Sequence, residues 1–119
     1  MTDAPARYEE ELCIAADCSE LDRVRSWVAA VAAPFGLDRR GRFRAITAVH
    51  EALAAQLGPG RHKRSSASVR ALWAGGRLTF WIRSPFKLEP GLGTQIMRHC
   101  ARDVEVVRTK GGSIVRLGI

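Results

Sequence analysis

Polar and apolar positions alternate, repeat and alternate again along this chain, and the changes of period mark its elements. Leu12 and Ile14 alternate with Glu11 and Cys13, the two-residue period of a half-buried strand. Ser19, with Asp22 three residues on, predicts a helix N-cap supported by an acid in the first turn. Behind it Leu21, Val24, Val28, Val31 and Phe35 recur at spacings of 3, 4, 3 and 4, a single apolar stripe. Pro34 and Gly36 end that helix, and Asp38 caps a second one running to about Leu57, where Gly58-Pro59-Gly60 stops it. On the second helix Phe43, Ile46, Val49, Leu53 and Leu57 form the expected core stripe. Ala48, Glu51, Ala52 and Ala55 fall on the other side. A small-residue face bearing one acid suits a pocket wall or a close contact; the alternative is an exposed face rich in alanine for its helix propensity.

Residues 61–66 read as a basic, polar connection. Val69, Ala71 and Trp73 alternate with Ser68, Arg70 and Leu72, and Leu78, Phe80 and Ile82 with Thr79, Trp81 and Arg83, around an Ala74-Gly75-Gly76-Arg77 turn. Pro85 ends the returning strand, because proline cannot donate to the ladder. A loop over 86–93, a helix over 94–102, and a hairpin pairing Glu105–Thr109 with Ser113–Leu117 around Gly111-Gly112 complete the pattern. The order β-α-α-β-β-α-β-β matches no βαβ series. It predicts an α+β two-layer sandwich, a mostly antiparallel sheet with its helices on one face. Residues 1–8 read as a flexible polar tail and 9–119 as one domain.

Composition narrows this picture in a few places. At 119 residues, 46% of them hydrophobic, the chain can bury a core without disulfides or metals. Three cysteines, Cys13, Cys18 and Cys100, are odd in number and lack ligand spacing, so they read as reduced thiols of a cytoplasmic protein. No apolar run approaches the roughly 20 residues that cross a bilayer, and no secretory signal is readable at the start. The formal net charge of +7 favours acidic partners, although a genome rich in Arg and Ala codons gives the same balance without any function behind it.

Four segments, in order, carry a resemblance. They are Glu11-Leu12-Cys13-Ile14-Ala15-Ala16-Asp17, His50-Glu51-Ala52-Leu53-Ala54-Ala55, Gly91-Leu92-Gly93-Thr94-Gln95-Ile96-Met97 and Lys110-Gly111-Gly112-Ser113-Ile114-Val115-Arg116-Leu117. Together they resemble the opening strand, the "S-E-A-x-x-N" helix, the "G-x-G-L-x-L-I" turn and the closing "x-G-G-T-x-V-x-L" hairpin of the anti-sigma factor serine kinases. That family has the GHKL (Bergerat) ATPase fold. The resemblance implies a place in a bacterial partner-switching circuit, with a sigma factor or a STAS-type anti-sigma antagonist as partner. It admits a homodimer, since active members commonly pair.

The same resemblance shows where the nucleotide chemistry has changed. An Asn on the second helix holds magnesium in the family, and a carboxylate one turn before it serves as general base. Here the acid is Glu51, but four residues on stands Ala55, which offers a hard cation no oxygen. The adenine-recognising "D-x-G-x-G" turn falls on Ser84-Pro85-Phe86-Lys87; a rival alignment uses Glu89-Pro90-Gly91-Leu92-Gly93, with Glu for Asp. Too few residues separate Ser84 from Gly91 for a lid over three phosphates. The turn at Gly91 and Gly93 can still cradle an anion, or is simply a tight loop. The expectation is therefore a degenerate kinase-like domain that binds proteins, with no cofactor and no metal. The alternative is a diverged but active ATP- and Mg2+-dependent serine kinase, with Glu51 catalytic and Gly91 and Gly93 at the nucleotide. In the closed form of the first reading, Phe86 and Leu88 plug the hollow that a nucleotide would fill.

Other constellations carry less. His50, His62 and His99 are scattered, and His50 reads as packed beside its helix's core stripe. The basic run Arg61-His62-Lys63-Arg64, with Arg70, has no interleaved aromatic, so nucleic acid is an unlikely partner and a solvated loop the simpler reading. With Arg39, Arg40, Arg42 and Arg44 it instead supplies charge to steer an acidic protein. Trp81 points away from Phe80 and Ile82, and is either exposed to a partner or covered by the chain's own helices.

Overall fold

The computed structural model describes residues 6–57 and 61–119, with side chains from 65 onward in the second stretch. The elements follow the expected order. Strand β1 (Arg7–Asp17) leads through a short 3-10 turn into α1 (Leu21–Ala32) and then α2 (Arg39–Leu57). Strands β2 (Arg61–Ala74) and β3 (Arg77–Ser84) come next, followed by α3 (Leu92–Cys100), β4 (Asp103–Thr109) and β5 (Gly112–Gly118). The five strands form one sheet in the order β1-β2-β3-β5-β4, and every neighbouring pair is antiparallel. Among the described residues no helix is long and apolar enough to cross a membrane.

The strand period decides which side of the sheet meets the helices. Leu12, Val69, Ile82, Val115 and Val106 lie side by side across the five strands on the helix side, and the middle three are fully buried. The helices close over them with Val24, Val28, Val49, Leu53 and Met97, each at 0% exposure. Trp27 meets Phe80 edge-on, and Phe35 stacks on Trp73 with centroids 4.6 Å apart. The opposite face carries no element of the described chain.

Six expectations need correction. Strand β1 begins at Arg7, inside the stretch read as a tail, and Tyr8 packs beside Phe35; residues 1–5 lie outside the described residues. Ser19 does not cap α1: it lies within a 3-10 turn, Cys18–Glu20, that Asp17 caps by accepting from the Ser19 amide at 3.1 Å, and the residue at the N-cap of α1 is Glu20, which makes no side-chain cap bond. The basic connection over 61–66 is the first part of β2, which pairs with β1 across a bulge at Ala15/Ala16. Strand β4 starts two residues earlier than expected, at Asp103, and α3 runs from Leu92 to Cys100, not from 94 to 102.

The sixth correction concerns α2. Asp38 does cap it, accepting from the Gly41 amide at 2.6 Å, but Phe43 is 65% exposed and outside the core. Ala45, Ala48 and Ala52 are fully buried instead. The reason is that α2 packs against α1, α3 and the sheet together. A helix with neighbours on three sides buries far more than one stripe, and small residues let those neighbours approach. The close-contact reading of the alanine face holds.

Candidate functional site

The expected site residues come from α2, the loop after β3, and the start of α3. Glu51 and Ala55 lie one turn apart on α2 and are both half-buried. The loop between Ser84 and Gly91 does not stand away from them. Its Glu89 amide donates to the Ala55 carbonyl at 3.1 Å, so the loop is tied to the last turn of α2, where helix carbonyls lack internal partners. Leu88, 8% exposed, enters the core, and half-buried Phe86 packs against it.

A buried hydrogen-bond relay fixes the start of this loop. Gln56, 1% exposed, extends its amide into the sheet. Its Nε2 lies 3.2 Å from the Ile82 carbonyl, 3.1 Å from the Ser113 carbonyl and 2.9 Å from Ser113 Oγ. Ser113 Oγ then donates to the Phe86 carbonyl at 2.7 Å, and Ser84 Oγ accepts from the Phe86 amide at 3.1 Å. One residue each from α2, β3 and β5 thus hold the loop down. The closing hairpin fits just as tightly: a methyl group on Gly112, whose φ is +152°, would lie 2.0 Å from the Ser84 carbonyl oxygen.

The glycine turn and Glu51 do come together. Thr94 Oγ1 donates to the Gly91 carbonyl at 2.7 Å and accepts from the Gly91 amide at 3.0 Å, which caps α3. A methyl group on Gly93 would fall 2.7 Å from Glu51 Oε2. The carboxylate therefore lies against the bare backbone of the first turn of α3, the end of a helix dipole that favours negative charge. Ala55 offers this carboxylate no partner for a cation. Among the described residues no cluster of three or more His, Cys, Asp or Glu side chains could hold a metal ion. His50 and His99 sit on different helices, and the side chains of His62 and the rest of the 61–64 basic run lie outside the described residues.

Sequence reasoning missed Gln56 and Ser113. Gln56 is a polar residue one position from the end of α2, and Ser113 lies in the closing hairpin, and neither type carries a signal of its own there. Their positions beside Ala55 and Gly112 were the available signal.

Two groups elsewhere titrate away from their ordinary values. The Cys13 thiol is raised, first by its hydrogen bond to Glu11 at 3.4 Å, with smaller contributions from burial and from that carboxylate's charge. Tyr8 is raised by its hydrogen bond to Glu10, then by burial and by charge.

Compared with known proteins, the chain matches no family model and no curated protein. It is similar to the crystal structure of the RsbU and RsbW domains of Rv1364c from Mycobacterium tuberculosis, with a TM-score of 0.73 at 16% identity. The likeness covers 92% of this chain and 32% of that one, so this chain spans about a third of its neighbour's length. At that identity the likeness is one of fold. The fold is the RsbW-like, GHKL-type α+β sandwich that the sequence resemblance implies.

Proposed function

We propose that this chain is a protein-binding regulator of the anti-sigma type, a pseudokinase of a bacterial partner-switching circuit. It acts in the cytoplasm on a sigma factor or a STAS-type antagonist, and ATP-dependent phosphotransfer has been lost. One observation carries the reading: the loop after β3 is bonded to α2 at Ala55 and to β5 at Ser113, with Leu88 buried beneath it. In the family that the sequence resembles, this space belongs to the nucleotide and its lid. Ala55, without an oxygen for magnesium, supports the same conclusion. Titration calorimetry with ATP and Mg2+ tests it. No saturable heat is expected, and a magnesium-dependent Kd in the low micromolar range would overturn the reading.

A second reading keeps some weight from one contact, the Glu51 carboxylate beside Gly93 at the opening of α3. That pairing retains the acid and the glycine turn of an active kinase. Phosphotransfer to a purified STAS-type partner, lost in Glu51→Gln, would establish it.

A further inference from the structure

The sheet face away from the helices has a charge pattern that the kinase-like fold does not explain. Across the five strands one row reads Glu11, Arg70, Trp81, Arg116, Glu105, set by the pairing of Glu11 with Arg70, Arg70 with Trp81, Trp81 with Arg116, and Arg116 with Glu105. The row is acid, base, aromatic, base, acid. The next row reads Cys13, Ser68, Arg83, Ile114, Val107. Between the two rows lies an open hollow of about 410 Å³, lined by Glu11, Ser68, Arg70, Trp81, Arg83 and Ile114.

The arginines differ in how their charge is met. Arg116 pairs with Asp103 at 2.7 Å. Arg70 has Nε 2.9 Å from Glu9 Oε1, although its N–H is not aligned on that oxygen, and its guanidinium lies 4.8 Å from the Trp81 ring centroid. Arg83 is exposed and has no acidic partner among the described residues. Beside it run Ile114, half-buried, and Val107, 44% exposed. An unmatched guanidinium flanked by open aliphatic surface asks for a carboxylate next to aliphatic side chains.

We propose that this face docks an acidic segment of a partner protein, one carboxylate on Arg83 and its aliphatic neighbours on Ile114, Val107 and the edge of Trp81. Charge complementarity selects that occupant over two others. A nucleic acid would stack bases on Trp81, but Arg70 already covers that ring, and a single unmatched arginine offers no track for successive phosphates. A second copy is opposed by symmetry. The first row has the same sign pattern read from either end, so a two-fold axis along β3 sets Arg against Arg and acid against acid. The inference shares with the proposed function only the premise of a protein partner. It concerns the opposite face of the sheet, so nucleotide calorimetry and the experiment below can fail independently.

The test is selection of a random twelve-residue peptide library on the immobilised whole chain, with affinities of the chosen peptides measured by fluorescence anisotropy. Enrichment of Asp or Glu next to Leu, Ile or Val is expected, with binding weakened at least tenfold in Arg83→Glu and unchanged in Arg98→Glu on the helix side. Arg83 is exposed, so thermal melts should show the charge-reversed variant folded like the parent. Peptides without acidic enrichment, or acidic peptides that bind Arg83→Glu as well as the parent, would overturn the proposal. So would tight binding of a labelled single-stranded RNA lost in Arg83→Glu, or a dimer seen by sedimentation that this substitution dissociates.

Discussion

Replacing Ser113 with alanine removes one oxygen and tests how the loop after β3 is held. Ser113 is fully buried, and its Oγ accepts from Gln56 Nε2 at 2.9 Å and donates to the Phe86 carbonyl at 2.7 Å. In Ser113→Ala the Gln56 amide keeps two acceptors for its two hydrogens, the Ile82 and Ser113 carbonyls. The Phe86 carbonyl loses this donor. Taking away a buried group's partner costs about 1–3 kcal/mol, so the loss falls mainly on the loop. A domain of this size is stable by only about 5–15 kcal/mol, which makes that loss measurable as a lower urea midpoint at unchanged slope. If the loop opens locally, exchange of the Glu89 amide, bonded to Ala55, should accelerate by roughly fivefold to 150-fold, the same energy read as an equilibrium constant. An unchanged midpoint together with unchanged Glu89 exchange would refute the reasoning. It would mean that burial of Leu88 alone holds the loop.

Four further outcomes are expected. Gly112→Ala should cost upward of about 3 kcal/mol in chemical denaturation, because the added methyl meets the backbone of Ser84 and Pro85, which cannot turn aside as a side chain can. Gly93→Ala meets only the movable end of Glu51, so alanine's helix propensity, about 1 kcal/mol, should emerge more fully in a Glu51→Ala background; strict additivity in a double-mutant cycle would count against the contact. Phe43→Ala should leave stability within about 0.5 kcal/mol of the parent, since the ring is 65% exposed, and a loss of several kcal/mol would restore it to the core. Cys13, its thiol raised above the ordinary value by Glu11, holds less thiolate at pH 8 than an unperturbed cysteine; iodoacetamide should label it slowly, and faster in Glu11→Gln.

The sequence revealed the fold because its strands alternate cleanly. Val69, Ala71 and Trp73, then Leu78, Phe80 and Ile82, could be assigned to one face without knowing what covered it. The two-residue turn at Gly75-Gly76, with φ of +58° and +73°, was equally legible, because few residues other than glycine take that conformation twice in succession. Helix α2 was harder. A stripe drawn on one side of a helix assumes one neighbour, and α2 has three, so alanines were undervalued and Phe43 overvalued. At the site, Glu51, Gly91, Gly93, Phe86 and Leu88 were all singled out by sequence. What escaped was the relay through Gln56 and Ser113, since a hydrogen bond between residues 57 positions apart leaves no local pattern.

The relay explains how polar groups can persist at this site while facing inward. The resemblance expects an amide side chain at 55, facing a ligand. The chain has its amide at Gln56, and a shift of one residue turns a helical side chain by about 100°, here into the sheet, where it braces β3, β5 and the loop. If, as proposed, the loop fills the space of a nucleotide, a nucleotide entering beside Glu51 and Ala55 would first have to lift it. Lifting it breaks the bonds from the Glu89 amide to Ala55, from the Phe86 amide to Ser84 and from Ser113 to the Phe86 carbonyl. At about 1 kcal/mol net for each bond, plus roughly 1.5–3 for exposing Leu88, the opening costs on the order of 5 kcal/mol. Any intrinsic affinity is reduced by the population of the open form, here several thousandfold. An intrinsic Kd near one micromolar would be observed in the millimolar range. Under the proposed reading, a closed loop of this stability weakens nucleotide binding before the lack of an oxygen ligand at Ala55 is considered.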